Sequence, residues 1–565
     1  MCSVDYNLLI GGSAGQGMET LTHTLERVLK RSGFHVHTTY DYMSRVRGGH
    51  NFMQIRFGDH PLHAPAEVLT GIIALNAETL ALHEARLALE GFILADAGLN
   101  LQGDRLLALP LIQTAKGFGS PQASGSVAVG VVMRLFGLKP EALEGVLRQQ
   151  FPKAELFEMN LQAALAGLDL AEARFMPPES QKQPMHLLNG NEAIALGALA
   201  AGLRFYSAYP MTPSTSVMTY LAEHMAETGI IVEQAEDEIA GINMAIGASF
   251  AGVRAMTGTS GGGFCLKVEA LGLAGMQETP LVVLNVQRPG PATGLPTRTE
   301  QADLRFVIDA AQGEFPRMVI AVRDVEDAYR QTQRAFDLAD KYQTPVILLS
   351  DQYLADTRRT VPRLPLQAVD GPQYVSDAAG LEPFQYRRYE LTEDGVSPRL
   401  IPGRVPQQVL CVDSDEHDEW GHIIESAEQR VAMADKRARK LMGLRMELEE
   451  PLFFGAEGAD TLLLAWGSLA GPIQEALELL AARGIPAGAL VFGDLWPLPV
   501  GELEKRMPKA RHRINVEQNA TGQLASLIRE VTGHPVTGSL LKYDGRQLMP
   551  LEIAAGVMKE VASHA

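Results

Sequence analysis

Tyr6-Asn-Leu-Leu-Ile10, then Gly11-Gly-Ser-Ala-Gly-Gln-Gly17, then an apolar-periodic stretch over residues 18–32 stand in immediate succession near the start of the chain. A short apolar run, a glycine turn and apolar residues at helical spacing read as strand, turn and helix. That is how an α/β unit opens. The rhythm continues with apolar runs at Gly71-Ile-Ile-Ala-Leu75 and Gly91-Phe-Ile-Leu-Ala-Asp96, and with a helical pattern over 80–90 between them. Alternation of this kind predicts a mostly parallel sheet.

The first unit is expected over residues 1–175, followed by a polar, proline-rich linker over 176–187. Residues 188–357 restart the pattern, with helices over 192–202 and 238–252 and strong strands over 280–287 and 344–350. From 358 to 457 prolines give way to a densely charged stretch, 416–440, which reads as a connector plus a solvated helix. Residues 458–565 restart once more, with strands over 461–467, 488–492 and 512–517 around a helix over 472–483. The expected fold class is therefore α/β, with three mostly parallel-sheet domains.

The 565 residues are 46% hydrophobic and 21% charged, enough for each unit to bury its own core. Lys plus Arg number 49 and Asp plus Glu 67, a net charge of −18 that repels nucleic acid and anionic membranes. Cys2, Cys265 and Cys411 are too few and too far apart to hold a four-cysteine cluster or a Cys-x-x-Cys zinc pair. The start lacks a basic leader, and no apolar run approaches the ~20 residues of a membrane span. A cytoplasmic protein is expected.

Several motifs carry chemistry. Gly11 to Gly17 brings backbone N–H groups to a helix start, where a phosphate is favoured, although a tight turn alone explains the glycines equally well. Arg45-Val-Arg-Gly-Gly-His50 places two guanidinium groups and an imidazole at a flexible turn, suited to gripping a carboxylate or phosphate. Tyr209-Pro-Met-Thr-Pro-Ser-Thr-Ser216 sets Thr212 between two prolines that fix the backbone, with Ser214 and Thr215 as helix-cap residues.

Glu238 stands at the mouth of a helix of small and apolar residues, either as a dipole partner or as a working carboxylate. Thr257-Gly-Thr-Ser-Gly-Gly-Gly-Phe264 is a second glycine-rich turn. Gln287-Arg-Pro-Gly-Pro-Ala-Thr-Gly-Leu-Pro-Thr297 puts Arg288 at the carboxyl end of a strand, where α/β sheets bind ligands. Asp415-Glu-His-Asp-Glu-Trp-Gly-His422 could suggest a metal, but it runs into a charged helix with no telling ligand spacing, so no metal site is assigned.

Together, Tyr209-Pro-Met-Thr-Pro213, Asp237-Glu-Ile-Ala-Gly241 and the segment from Arg288 to Thr297 resemble the 2-oxoacid:ferredoxin oxidoreductases. Gly12-Ser-Ala-Gly-Gln-Gly17 and Arg47-Gly-Gly-His50 resemble the gamma unit of that family, here fused ahead of the alpha unit. The resemblance spans essentially the whole chain and is greatest to the alpha subunit of the 2-oxoglutarate-specific members. It implies oxidative decarboxylation of a 2-oxoacid on thiamine diphosphate, with acyl-CoA formation and electrons passed through a [4Fe-4S] cluster to ferredoxin. A pyrimidine-binding middle domain and a transketolase-like C-terminal domain are implied too.

The resemblance makes Glu238 the partner of the cofactor's aminopyrimidine N1′ and assigns Thr212, Arg288 and Thr297 to the 2-oxoacid. Thr212 also belongs to the implied cofactor site, as do Gly15, Gln16 and Gly17. The family's diphosphate signature, Gly-Asp-Gly followed downstream by paired asparagines, is absent from this sequence. The diphosphate and Mg2+ ligands and the cluster are thus expected on a beta subunit, in a dimer of heterodimers. Arg47 is the candidate for the distal carboxylate of 2-oxoglutarate, with Arg45 and His50 as substitutes. Alternatives are a pyruvate or branched-chain 2-oxoacid enzyme of the same family, a nucleotide-binding assembly subunit without chemistry, and an NAD-linked oxidoreductase read from the first glycine turn.

Overall fold

Leu8, Leu9 and Ile10 are completely buried because their strand, Asp5–Gly12, runs through the interior of a sheet covered on both faces. The computed structural model describes residues 4–43, 49–180, 184–365, 373–377 and 379–563, which divide into two compact units. Residues up to Asn189 together with Asp356–Leu364 form the first unit. Gly190–Ala355 and the chain from Pro365 onward form the second.

The first unit holds an eight-stranded sheet in the order Leu106–Leu109, Leu87–Asp96, Leu69–Ala74, Asp5–Gly12, Asn51–Gly58, His35–Asp41, Arg358–Pro362 and Met185–Leu188. The first four strands are parallel, with Leu8 opposite Gly71 and Ile10 opposite Ile73, and the other four join antiparallel. This sheet is therefore parallel in only one half. The expected linker contributes Met185–Leu188 and the expected connector contributes Arg358–Pro362. Each is too short to show periodicity, and they pair with one another, Thr360 opposite Leu187. The helical pattern over 80–90 resolves into the helix Ala77–His83 and, from Leu87, a strand.

The second unit carries two sheets. Seven strands run in the order Asp494–Trp496, Met318–Ala321, Pro345–Asp351, Leu281–Gln287, Arg254–Thr259, Leu203–Ala208 and Ile231–Gln234, all parallel except the first. Five more run in the order Leu452–Gly455, Ala487–Phe492, Thr461–Trp466, His512–Glu517 and Gly538–Leu541, again parallel except the first. Across the three sheets parallel pairings predominate.

Residues 415–426 form loop, and the charged helix is Ala427–Met446. It is not solvated all round. Met433, Lys436, Arg437, Lys440 and Leu444 recur at helical spacing and are buried, with the Lys436 and Lys440 ammonium groups 2.6 and 2.5 Å from the buried Glu278 carboxylate. Because this buried stripe is made largely of cations, hydropathy alone does not reveal it. No helix among the described residues is long and apolar enough to cross a membrane.

Candidate active site at the strand ends of the second unit

In the seven-stranded sheet the strand Leu203–Ala208 has the next strand in sequence on one side and Arg254–Thr259 on the other, so the strand order reverses there. Ligands in open α/β sheets bind outside the carboxyl ends of the strands at such a switch point. The motifs of this unit meet there. The turn over 209–214 leaves the first strand, Glu238 follows the second, Ser260 and three glycines follow the third, and Arg288 follows Leu281–Gln287.

Glu238 is the first residue of the helix Glu238–Phe250, whose N-cap is Asp237; the Asp237 carboxylate accepts from the Ala240 N–H at 2.7 Å. Capping is thus done by the neighbour. Glu238 is only 4% exposed, and its Oε1 is buried without a hydrogen-bond partner. An unpaired buried carboxylate oxygen costs free energy unless a ligand satisfies it.

The helix Gly261–Met276 starts against it. A side chain at Gly263 would overlap the Glu238 and Thr259 oxygens and come 2.7 Å from Glu238 Cγ. At Gly261 a Cβ would lie 2.6 Å from Asp303 Oδ2, and at Gly262 it would reach the Ala292 carbonyl at 3.5 Å. Three successive glycines therefore let Glu238, the loop after Arg288 and Asp303 gather around one helix start. Ser260 Oγ and Asn285 Oδ1, both fully buried at the same strand ends, also lack partners.

Arg288 is half-buried and donates to the Thr212 carbonyl at 2.7 Å, across the Thr212–Pro213 cis peptide turn. Thr212 itself is exposed, while the neighbouring Met211 Sδ accepts from Thr259 Oγ1 at 3.8 Å. Gly294, with φ of 52°, lets the Leu295 N–H return to the Pro289 carbonyl at 3.1 Å, closing the loop that begins at Arg288. Thr297 is half-buried further along that loop. The structure thus brings Glu238, Thr212 and Arg288 together through Met211, Thr259 and the glycine turn. Ser214 occupies the N-cap position of Thr215–Glu223, but its hydroxyl donates to the Met211 carbonyl instead of capping.

Sequence reasoning passed over Lys267, Asn285, Glu300 and Asp303. Asp303 accepts from Asn285 Nδ2 at 3.0 Å, and burial raises its carboxyl above the usual range. Burial, then the Asp303 charge, pushes Glu300 up to about 7. Lys267 is 1% exposed inside a helix that, apart from Glu269, is otherwise small and apolar. A lone lysine in such a helix was the available signal.

In the first unit, Gly15 and Gly17 adopt φ of 90° and 79°, and Gln16 bridges the turn, accepting from Ser13 N at 2.7 Å and donating to the Leu75 carbonyl at 3.2 Å. All three line a cleft of about 600 Å³ whose other walls include Asp96, Ser124 and Asn160. Gly17 is the N-cap of Met18–Arg31 and provides no side-chain cap, leaving the helix-start N–H groups available to an anion. Arg45 and Arg47 lie outside the described residues. His50 Nε2 sits 2.8 Å from His83 Nε2 and is buried, so it is committed to a ring pair within the first unit.

The Asp415-to-His422 carboxylates and imidazoles have other work. Arg430 and Arg437 pair with Glu416, the Asp418 carboxylate accepts from the Trp420 and His422 N–H groups, and the His417 ring packs on Tyr389 with centroids 3.9 Å apart.

Residues 196–436 match the family model described as pyruvate flavodoxin/ferredoxin oxidoreductase, thiamine diphosphate binding. Residues 7–170 match pyruvate ferredoxin/flavodoxin oxidoreductase, and 459–553 match pyruvate:ferredoxin oxidoreductase core domain II. The chain is 31% identical to the 2-oxoacid:ferredoxin oxidoreductase subunit alpha of Saccharolobus solfataricus, over 97% of this chain and 96% of that one. It is 29% identical to the 2-oxoglutarate oxidoreductase subunit KorA of Mycobacterium tuberculosis, over 92% and 86%. The solved 2-oxoglutarate:ferredoxin oxidoreductase from Magnetococcus marinus, with 2-oxoglutarate, coenzyme A and succinyl-CoA bound, superposes with a TM-score of 0.91. Its sequence is 33% identical, over 99% of each chain.

Proposed function

Because this chain belongs to the 2-oxoacid:ferredoxin oxidoreductase family, we propose that it is a fused gamma and alpha subunit acting on 2-oxoglutarate. The reaction is interconversion of 2-oxoglutarate and CoA with succinyl-CoA and CO2, with ferredoxin as electron partner. The observation that carries this reading is the buried, unpartnered Glu238 Oε1 beside the Arg288 loop. Names of relatives that act on 2-oxoglutarate support the choice of acid.

Thiamine diphosphate, when bound, supplies the carbon nucleophile and the electron sink for decarboxylation. The residues present fit its pyrimidine end: Glu238 offers an oxygen with no competing donor, and Gly263 keeps the space against it clear. With the cofactor bound, Glu238 would exchange a proton with the pyrimidine N1′. Arg288 keeps part of its guanidinium fork for the carboxylate next to the keto group, and the Thr212 and Thr297 hydroxyls orient the acid. Gly15, Gln16 and Gly17 take the phosphate end of CoA at the helix start.

The diphosphate, its Mg2+ and a [4Fe-4S] cluster are assigned to a beta subunit, in a dimer of heterodimers. Three cysteines in the whole sequence support that division. So does the apolar surface next to Glu238, where Ile239, Met244 and Leu266 are exposed.

The test is co-expression with the neighbouring subunit, followed by ferredoxin reduction and acyl-CoA product analysis with 2-oxoglutarate, pyruvate and branched-chain acids. Succinyl-CoA as the preferred product is expected. Glu238→Gln should cut turnover by about a hundredfold or more while leaving the Michaelis constant for the acid nearly unchanged, as loss of a proton-transfer group does. Near-normal turnover would return Glu238 to the role of helix-dipole partner. The match to pyruvate-named family models favours pyruvate as the second reading, and acetyl-CoA as the preferred product would establish it.

A further inference from the structure

Lys267 has no part in the mechanism above, yet it is among the largest fully buried side chains of the protein. It lies on the helix Gly261–Met276, one turn beyond the glycines that face Glu238 and Asp303. Its ammonium donates to the Glu238 backbone carbonyl at 3.1 Å and to the Thr257 hydroxyl at 2.9 Å. Thr257 is fully buried on the strand Arg254–Thr259. One cation therefore ties together a strand and two helices of the active site directly behind the working carboxylate.

A buried ammonium is expensive. Its two hydrogen-bond partners are a carbonyl and a hydroxyl rather than a carboxylate, so fold stability alone does not account for this lysine. Its bond falls on the peptide of the one residue whose carboxylate must stay aimed into the site with no partner of its own. We infer that Lys267 is a positioning residue: its ammonium holds the first turn of the Glu238–Phe250 helix so that the Glu238 carboxylate is presented to the cofactor's pyrimidine. This inference rests on the reading of Glu238 given above.

The charged groups that act on Lys267 are Glu238 and Asp237. Burial pulls the ammonium down to about 8, against these two carboxylates, which raise it. The group is charged at neutral pH and loses its proton as pH rises through about 8. The charge-assisted tie is therefore present on the acid side of that value and lost on the alkaline side.

The test is Lys267→Met in the complex with its partner subunit, with Lys267→Gln as a second variant that keeps a donor without the charge and Glu238→Gln as control. Turnover of Lys267→Met is expected to fall about tenfold to a hundredfold, the worth of one charge-assisted hydrogen bond. The Michaelis constant for the 2-oxoacid should move less than about threefold. The parent should lose activity as pH rises through about 8, and both Lys267 variants should lack that limb. In the chain without cofactor, amide hydrogen exchange across the first turn of the helix should quicken in Lys267→Met by about tenfold.

Turnover of Lys267→Met within twofold of the parent, or unchanged exchange at that turn, overturns the inference. If Lys267→Met does not fold, Lys267→Gln decides by the same criteria. Loss of activity in Glu238→Gln with none in the Lys267 variants sinks this inference alone, whereas near-normal Glu238→Gln sinks the reading of Glu238 and the inference with it.

Discussion

The Arg288 guanidinium donates to the backbone carbonyl of Thr212 across 2.7 Å, joining two strand ends that are 76 positions apart in the sequence. The bond occupies one corner of a five-donor fork and orients the rest. Arg288→Lys keeps a positive charge but cannot supply both this tie and a pair of donors to a carboxylate. The expected result is a rise in the Michaelis constant for the 2-oxoacid of about tenfold to a hundredfold, corresponding to one charge-assisted bond, with a smaller change in turnover. Steady-state kinetics of the assembled complex would check this, and an unchanged Michaelis constant would remove Arg288 from the substrate site.

Gly263 gives a second handle on Glu238 that leaves the carboxylate chemically intact. A methyl group there would overlap the Glu238 and Thr259 side-chain oxygens and crowd Glu238 Cγ. Either the carboxylate swings away or the helix start shifts. A displacement near 1 Å at a reacting group costs on the order of a hundredfold in rate, so Gly263→Ala should approach the turnover of Glu238→Gln. Circular dichroism should remain that of the parent. Full activity in Gly263→Ala would mean that Glu238 is not held where its oxygen is needed.

The α/β rhythm was legible because the central strands are buried on both faces. Leu281–Gln287 and Pro345–Asp351 read as predominantly apolar runs and lie where expected. Met185–Leu188 and Arg358–Pro362 were not legible as strands. Four and five residues carry no periodicity, and their pairing with each other is a property of the folded sheet. Thr212 and Arg288 could be found because each sits at an element boundary beside a proline, and Glu238 because it opens a helix of small and apolar residues. Lys267 and Asn285 sit inside ordinary apolar segments and Asp303 just before one, and only packing shows that their polar atoms converge. The stripe from Met433 to Leu444 escaped notice because buried lysines look like solvated ones in a sequence.

Substrate choice tests the Arg45-to-His50 segment. With Arg288 proposed for the carboxylate beside the keto group, a dicarboxylic acid needs a second cation, and Arg47 is proposed to supply it. His50 is a weaker substitute, since its Nε2 is taken up by His83 and burial lowers the pKa of its ring. Arg47→Ala should depress kcat/KM for 2-oxoglutarate about ten- to a hundredfold more than for 2-oxobutyrate, which lacks the distal carboxylate. Equal losses on both acids would assign Arg47 to CoA phosphates or to a structural role.

Glu416 ties the loop before the charged helix to the helix itself, pairing with Arg430 and with both terminal nitrogens of Arg437 at 2.9 and 2.8 Å. Burial pushes its carboxyl up, but the Arg437 and Arg430 guanidinium groups outweigh that and hold it down to about 2, against an ordinary 4.5. A carboxylate whose pKa is depressed by folding adds stability above its unfolded value, and that contribution drains away as pH falls through 4.5 toward 2. Glu416→Gln leaves the buried Arg437 without its charge partner, which should cost about 1–3 kcal/mol at pH 7. The gap in thermal midpoint between parent and variant should then narrow below about pH 4.5 and close near 2, read by melting both proteins across that range. A gap that stays constant with pH would mean that Glu416 acts through packing rather than through its charge.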